Sequence, residues 1–132
     1  MIQFHHIGIF VKSLAKGKKF FKNIIKIKKQ SKIYNDKNLG VTIIFLYDKK
    51  NICYEIVAPL TKKNPVEKVL KSKNNLLNHV AYVSDDFAND IKKLRSQGCA
   101  PLTKVIKAKA FDNKNIIFFL TTLGFIMEII EK

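Results

Sequence analysis

One interval, used twice, constrains this chain more than anything else in it. His6 precedes His79 by 73 positions, and Glu55 precedes Glu128 by the same 73. Each half therefore separates its His from its Glu by 49 residues. With only three His and four Glu in the chain, a chance match of both pairs is unattractive. The neighbours keep the interval. Ile7, Ile9 and Phe10 map onto Val80, Tyr82 and Val83; Ile43, Ile44 and Phe45 onto Ile116, Ile117 and Phe118; Tyr54 and Ile56 onto Met127 and Ile129. Self-similarity at a fixed period marks a duplicated structural unit. A duplicated unit that carries one imidazole and one carboxylate points to a metal site on a pseudo-two-fold axis.

Periodicity supplies the contents of each unit. Residues 3–11 alternate as a strand, with Phe4, His6, Gly8 and Phe10 on one face and His5, Ile7, Ile9 and Val11 on the other. Ser13 is placed to cap a helix that turns Leu14, Phe21 and Ile25 inward and lysines 12, 16, 18, 19 and 22 outward. Residues 26–39 are polar and read as one irregular strand and a loop. Gly40 opens a strand through Tyr47, and the turn Asp48–Asn51 leads into a strand from Ile52 to Val57. Pro59 ends this first βαβββ module. Asn64-Pro65 starts a short linker helix with Val66, Val69 and Leu70 as its apolar stripe, fading into Ser72-Lys73-Asn74-Asn75. The order then repeats. A strand runs over 76–83, Ser84 caps a helix with Phe87, Ile91 and Leu94 inward and Gly98 at its end, and strands follow near 100–106, 114–120 and 125–131. The expected organisation is one domain over 1–132, with modules at 1–58 and 76–132 and the linker at 59–75.

Strand parity isolates four side chains. Cys53, Glu55 and Val57 share a face, as do Ile126, Glu128 and Ile130. In all four strands concerned, His6, Glu55, His79 or Glu128 is the only strongly polar residue on its face near mid-strand. A carboxylate there is costly to bury unless it is paired, protonated or bound to a metal. The other candidates lack such partners: His5 lies on the opposite face and reads as structural, Glu67 is on the linker helix, and Glu131 follows the last strand into solvent.

At 132 residues and 47% hydrophobic, the chain has enough core to fold alone. It has no run of 18 apolar residues, and Met1 leads into a strand rather than a signal peptide. A cytoplasmic protein without a membrane partner is expected. Cys53 and Cys99 fit no metal or redox spacing and read as small buried hydrophobes. The net charge of +15 raises nucleic acid as a partner. Against it, Arg95 is the sole arginine and no aromatic-basic stacking motif is present. Abundant Lys, Ile and Asn indicate an AT-rich coding bias, and the charge would still attract an anionic small-molecule substrate.

Four segments carry a family likeness: His5-His6-Ile7-Gly8-Ile9-Phe10-Val11, Tyr54-Glu55-Ile56-Val57-Ala58-Pro59, Asn78-His79-Val80-Ala81-Tyr82-Val83 and Phe125-Ile126-Met127-Glu128-Ile129-Ile130. Together they resemble the vicinal oxygen chelate superfamily, which holds glyoxalases, methylmalonyl-CoA epimerases, extradiol dioxygenases and bleomycin resistance proteins. The likeness is strongest to the epimerase and lactoylglutathione lyase-like branch. It implies an α+β fold of two tandem βαβββ modules forming a cupped, mostly antiparallel sheet with helices on its outer face. It also implies a divalent metal held by His6, Glu55, His79 and Glu128, the four residues the repeat selects, and a homodimer. Such a donor set suits Zn, Ni, Co, Mn or Fe. The glyoxalase branch gives the proton-transfer role to a ligating Glu, here Glu128 or its mate Glu55. The reaction class implied is proton abstraction next to a carbonyl, by an isomerase, epimerase or lyase. The alternative is a non-catalytic small-molecule-binding protein of the same fold. Glu55 fills a position the dioxygenases leave without a ligand, which counts against oxygen chemistry. Two segments depart from the epimerases. Asn38 stands where they carry a Glu two residues before Gly-Val, with Asp36 a weak substitute, and the short Thr121–Gly124 loop replaces a His-Pro-Lys-Asp type of segment.

Overall fold

A computed structural model describes residues 2–71 and 75–132. Met1 and Ser72-Lys73-Asn74, where the chain start and the end of the linker were read, lie outside the described residues. The architecture is α+β, with ten strands and three α-helices among the described residues. The chain divides into two compact units, one of His6–Asn78 and one of the residues up to His5 together with His79–Lys132.

β1 (Ile2–Phe10) enters the first unit at His6 and leads to α1 (Leu14–Ile24), then β2 (Ile27–Gln30), β3 (Tyr34–Asp36), β4 (Val41–Asp48), β5 (Cys53–Pro59) and α2 (Pro65–Leu70). Its sheet runs β2-β4-β5-β1, with β3 also on β4. The β1–β5 pairing is parallel and the rest antiparallel. Ser13 caps α1 as expected, its side chain accepting from the Lys16 N–H. Ile25 is not an inward helical residue but the extended residue that ends the helix. The segment 26–39 holds two short strands rather than one. Asn64 caps α2, yet only Val66 and Leu70 are buried; Val69 is exposed because a six-residue helix offers one narrow stripe.

β6 (Leu76–Ser84) enters the second unit at His79, followed by α3 (Phe87–Ser96), β7 (Ala100–Pro101), β8 (Ile106–Ala108), β9 (Lys114–Leu120) and β10 (Ile126–Glu131). Its order is β6-β10-β9-β7, with β8 also on β9. Here too a single pairing, β6–β10, is parallel. The strand expected over 100–106 is two short strands on β9. Asp86, not Ser84, caps α3, accepting from the Asn89 N–H. Ser84 closes β6 and donates to the buried Asp90 carboxylate at 2.6 Å. The 73-residue interval carried Ser13 onto Asp86 all along. Glu131 belongs to β10 and accepts from the Asn115 amide at 2.7 Å instead of facing solvent.

The interval governs pairing as well as sequence. Ile7 pairs with Tyr54 and Gly8 with Glu55; 73 residues on, Val80 pairs with Met127 and Ala81 with Glu128. Phe45 faces Glu55 as Phe118 faces Glu128. The cores repeat too. Ile44, Leu46 and Ile56, with Leu14 and Phe21 of α1 packed on them, match Ile117, Phe119 and Ile129, with Phe87 and Leu94 of α3. Gly17 lets α1 approach this core closely, since a Cβ there would meet the Ile56 Cγ2 at 3.0 Å. Each sheet thus buries its helix on one face, and strand parity sends His and Glu to the other. Cys53 and Cys99 are free and buried.

Candidate metal centre

In the first unit, the parallel register of β1 and β5 puts Gly8 beside Glu55, and two residues earlier on the same face stands His6. Glycine leaves the carboxylate room to reach along the strand. His6 Nε2 lies 3.4 Å from Glu55 Oε1, with the two residues 0% and 4% exposed. In the second unit Ala81, nearly as small, stands beside Glu128. His79 Nε2 lies 3.1 Å from Glu128 Oε2, with the residues 3% and 1% exposed. Each imidazole is held by an aromatic edge. The His6 and Phe45 rings are 5.8 Å apart, and the His79 and Phe118 rings 5.3 Å, both edge to face.

All four predicted site residues are therefore buried, and the structure brings them together as two His–Glu pairs, one in each unit. Phe45 and Phe118 were not read as part of a site, although the repeat had already matched them. His5 packs edge-on against Phe111, in keeping with a structural role. Glu67 is exposed on α2. Asn38 is exposed on the turn before β4, whereas Asp36 is buried and accepts from the Leu39 N–H at 3.0 Å. Thr121 closes its short loop on itself, its hydroxyl accepting from the Phe125 N–H.

The pairs fit a metal in chemistry and in spacing. Neutral imidazole nitrogen and carboxylate oxygen are both ligands for borderline divalent ions. Two such ligands, each bonded at about 2.0–2.2 Å, lie roughly 3.0–3.5 Å apart. The 3.4 and 3.1 Å separations fall in that window. Distances of this size also occur in plain ion pairs, so the repetition, more than either distance, points to an ion.

The family model of the glyoxalase, bleomycin resistance protein and dioxygenase superfamily matches residues 5–118, and the chain belongs to that family. Among solved structures, it is similar to methylmalonyl-CoA epimerase from Mycobacterium tuberculosis, with 19% identity, 97% of this chain and 86% of the other covered, and a TM-score of 0.82. A hypothetical protein from Bacillus halodurans C-125 gives 21% identity, 99% and 94% coverage and a TM-score of 0.86. The Streptomyces coelicolor epimerase in complex with 2-nitronate-propionyl-CoA gives 17%, 98%, 96% and 0.77. At such identities the likeness is one of fold. No curated protein matches the chain.

Proposed function

We propose that His6, Glu55, His79 and Glu128 converge on one divalent cation, and that the chain is an isomerase, epimerase or lyase that moves a proton on the carbon next to a carbonyl. The observation that carries this is the buried His–Glu pair repeated at an interval of 73. An isolated pair is an ordinary structural ion pair. Two of them on equivalent strands, beside equivalent small residues and under equivalent phenyl rings, are what a shared ion requires of a duplicated module.

Zn, Ni, Co, Mn or Fe at this donor set would supply Lewis acidity, stabilising a developing enolate oxygen by several kcal/mol. The chain's own groups supply the remainder. The imidazoles present Nε2, their rings fixed by Phe45 and Phe118. Glu128, or Glu55 as its mate, takes the proton at a carboxylate oxygen and returns it. Burial keeps these groups away from bulk water, and the lysine-rich exterior concentrates an anionic substrate. The relatives include an epimerase in complex with methylmalonyl-CoA, which supports a small acid or its thioester as the substrate class here. The same reading makes the two modules one domain and the protein a cytoplasmic homodimer, an assembly that equilibrium sedimentation measures directly.

The test is solvent deuterium entering the substrate carbon next to the carbonyl, followed over acyl-thioesters and hemithioacetals, and its loss in Glu128→Gln. Absence of exchange across that panel with every metal above would refute catalysis. Exposed Asn38, in place of an acidic side chain, favours a second reading in which the protein binds without turnover. That reading predicts saturable binding of the same compounds with no exchange.

A further inference from the structure

We propose that α1 and the strand that follows it form a docking surface for an anionic lipid bilayer. Between Lys12 and Lys32 the chain places nine lysines in 21 residues and no Asp or Glu. Lys12, Lys16, Lys19, Lys22, Lys26, Lys28, Lys29 and Lys32 are exposed. Their contacts leave the charge in place. Lys22 Nζ donates to the neutral amide of Gln30 at 2.8 Å, tying α1 to β2 and joining their lysines into one surface. Lys29 and Lys32 lie over the Tyr47 and Tyr34 rings.

Within that field sit two large apolar side chains that the core does not use. Leu14 and Phe21 turn α1 toward the sheet. Phe20 and Ile24 are 60% and 69% exposed. Being four residues apart, they lie side by side on the helix. A single exposed hydrophobe is ordinary. An adjacent aromatic and aliphatic pair ringed by uncompensated lysines is the combination by which interfacial helices enter the headgroup boundary. Charge complementarity selects an anionic surface, and the apolar pair selects lipid over nucleic acid, which would leave Phe20 and Ile24 unused. The lack of a membrane-spanning run does not bear on this, because surface docking needs none.

The experiment is co-sedimentation of the intact chain with vesicles of equal parts phosphatidylglycerol and phosphatidylcholine, against phosphatidylcholine alone. Binding should appear only with the anionic vesicles and fade with rising salt. Phe20→Ser with Ile24→Ser should weaken it about tenfold by withdrawing two apolar side chains from the bilayer. Lys16→Gln, Lys19→Gln and Lys22→Gln together should weaken it as much. All five positions are exposed, so circular dichroism should be unchanged. Equal binding to both vesicle types, or to neither, would overturn the proposal. So would anionic binding that the apolar double variant leaves intact, or a duplex oligonucleotide that competes fully with the vesicles.

Discussion

Glu128→Gln separates a metal centre from a pair of buried ion pairs. Glu128 is 1% exposed and its Oε2 is 3.1 Å from His79 Nε2. If that contact were only an ion pair, the substitution would leave its partner uncompensated and cost about 3–5 kcal/mol, whether or not metal is present. A shared ion predicts a different pattern. Wild type with metal at about a thousandfold over its Kd gains ~4 kcal/mol over the chelator-treated protein. For a chain of this length that is roughly 15 °C in Tm. Glu128→Gln should then lose most of that metal-dependent increment while changing the stability of the chelated protein far less. Glu55→Gln should behave identically, although it lies in the other unit, and the double variant should lose little more than either alone. The assay is thermal unfolding with chelator and with each of Zn, Ni, Co, Mn and Fe, beside metal analysis of the purified protein. Equal wild-type Tm values under all these conditions, with no metal retained, would refute the shared centre.

Two further outcomes follow from the local chemistry. Ser84→Ala removes the 2.6 Å donor to the buried Asp90 carboxylate and should cost about 1.5–3 kcal/mol in urea unfolding, whereas Ser13→Ala, which removes an exposed cap, should cost about 1 kcal/mol. The Tyr47 hydroxyl is pushed from its ordinary 10.0 up to about 12, chiefly by burial and then by Cys53 and Tyr34. A folded pKa above the unfolded one means that its stabilising share is intact below pH 10 and is lost as pH rises toward 12. Tyr47→Phe should accordingly shift alkaline unfolding to higher pH, read by circular dichroism.

Much of this was legible because a duplicated module is read twice. Residues 53–57 alone are an apolar strand with one awkward carboxylate; read with 126–130, that carboxylate becomes a conserved feature of the duplication, and its partner His is found at the same offset in both halves. Local chemistry was less legible where two residues compete for one task. Ser84 and Asp86 are both good caps, and the choice fell to Asp86 because Ser84 is held inside β6, where its hydroxyl serves Asp90. The two short edge strands of each module read as a single strand for a related reason. They make one ladder each, on β4 or β9, and need no sustained apolar alternation of their own.

The place where the repeat fails explains why it holds elsewhere. Tyr34 pairs with Ile43 and Ile106 with Ile116, an interval of 72 rather than 73 for the outer strand, because the connection 109–113 is one residue longer than 37–40. The extra residue is taken up in the turn, so the outer strands keep the same facing, with Asn35 and Lys107 exposed and Asp36 and Ala108 buried. The inner strands keep the 73-residue interval itself. A one-residue slip of β5 or β10 would turn Glu55 or Glu128 toward Ile44 and Leu46, or Ile117 and Phe119, and expel Ile56 or Ile129 from the same core. Either change would bury an uncompensated carboxylate among hydrocarbon, at a cost of several kcal/mol. The aliphatic core beneath the helices is therefore what holds each Glu to its His, and the 73-residue interval survives where packing on one face and ligand chemistry on the other demand the same register.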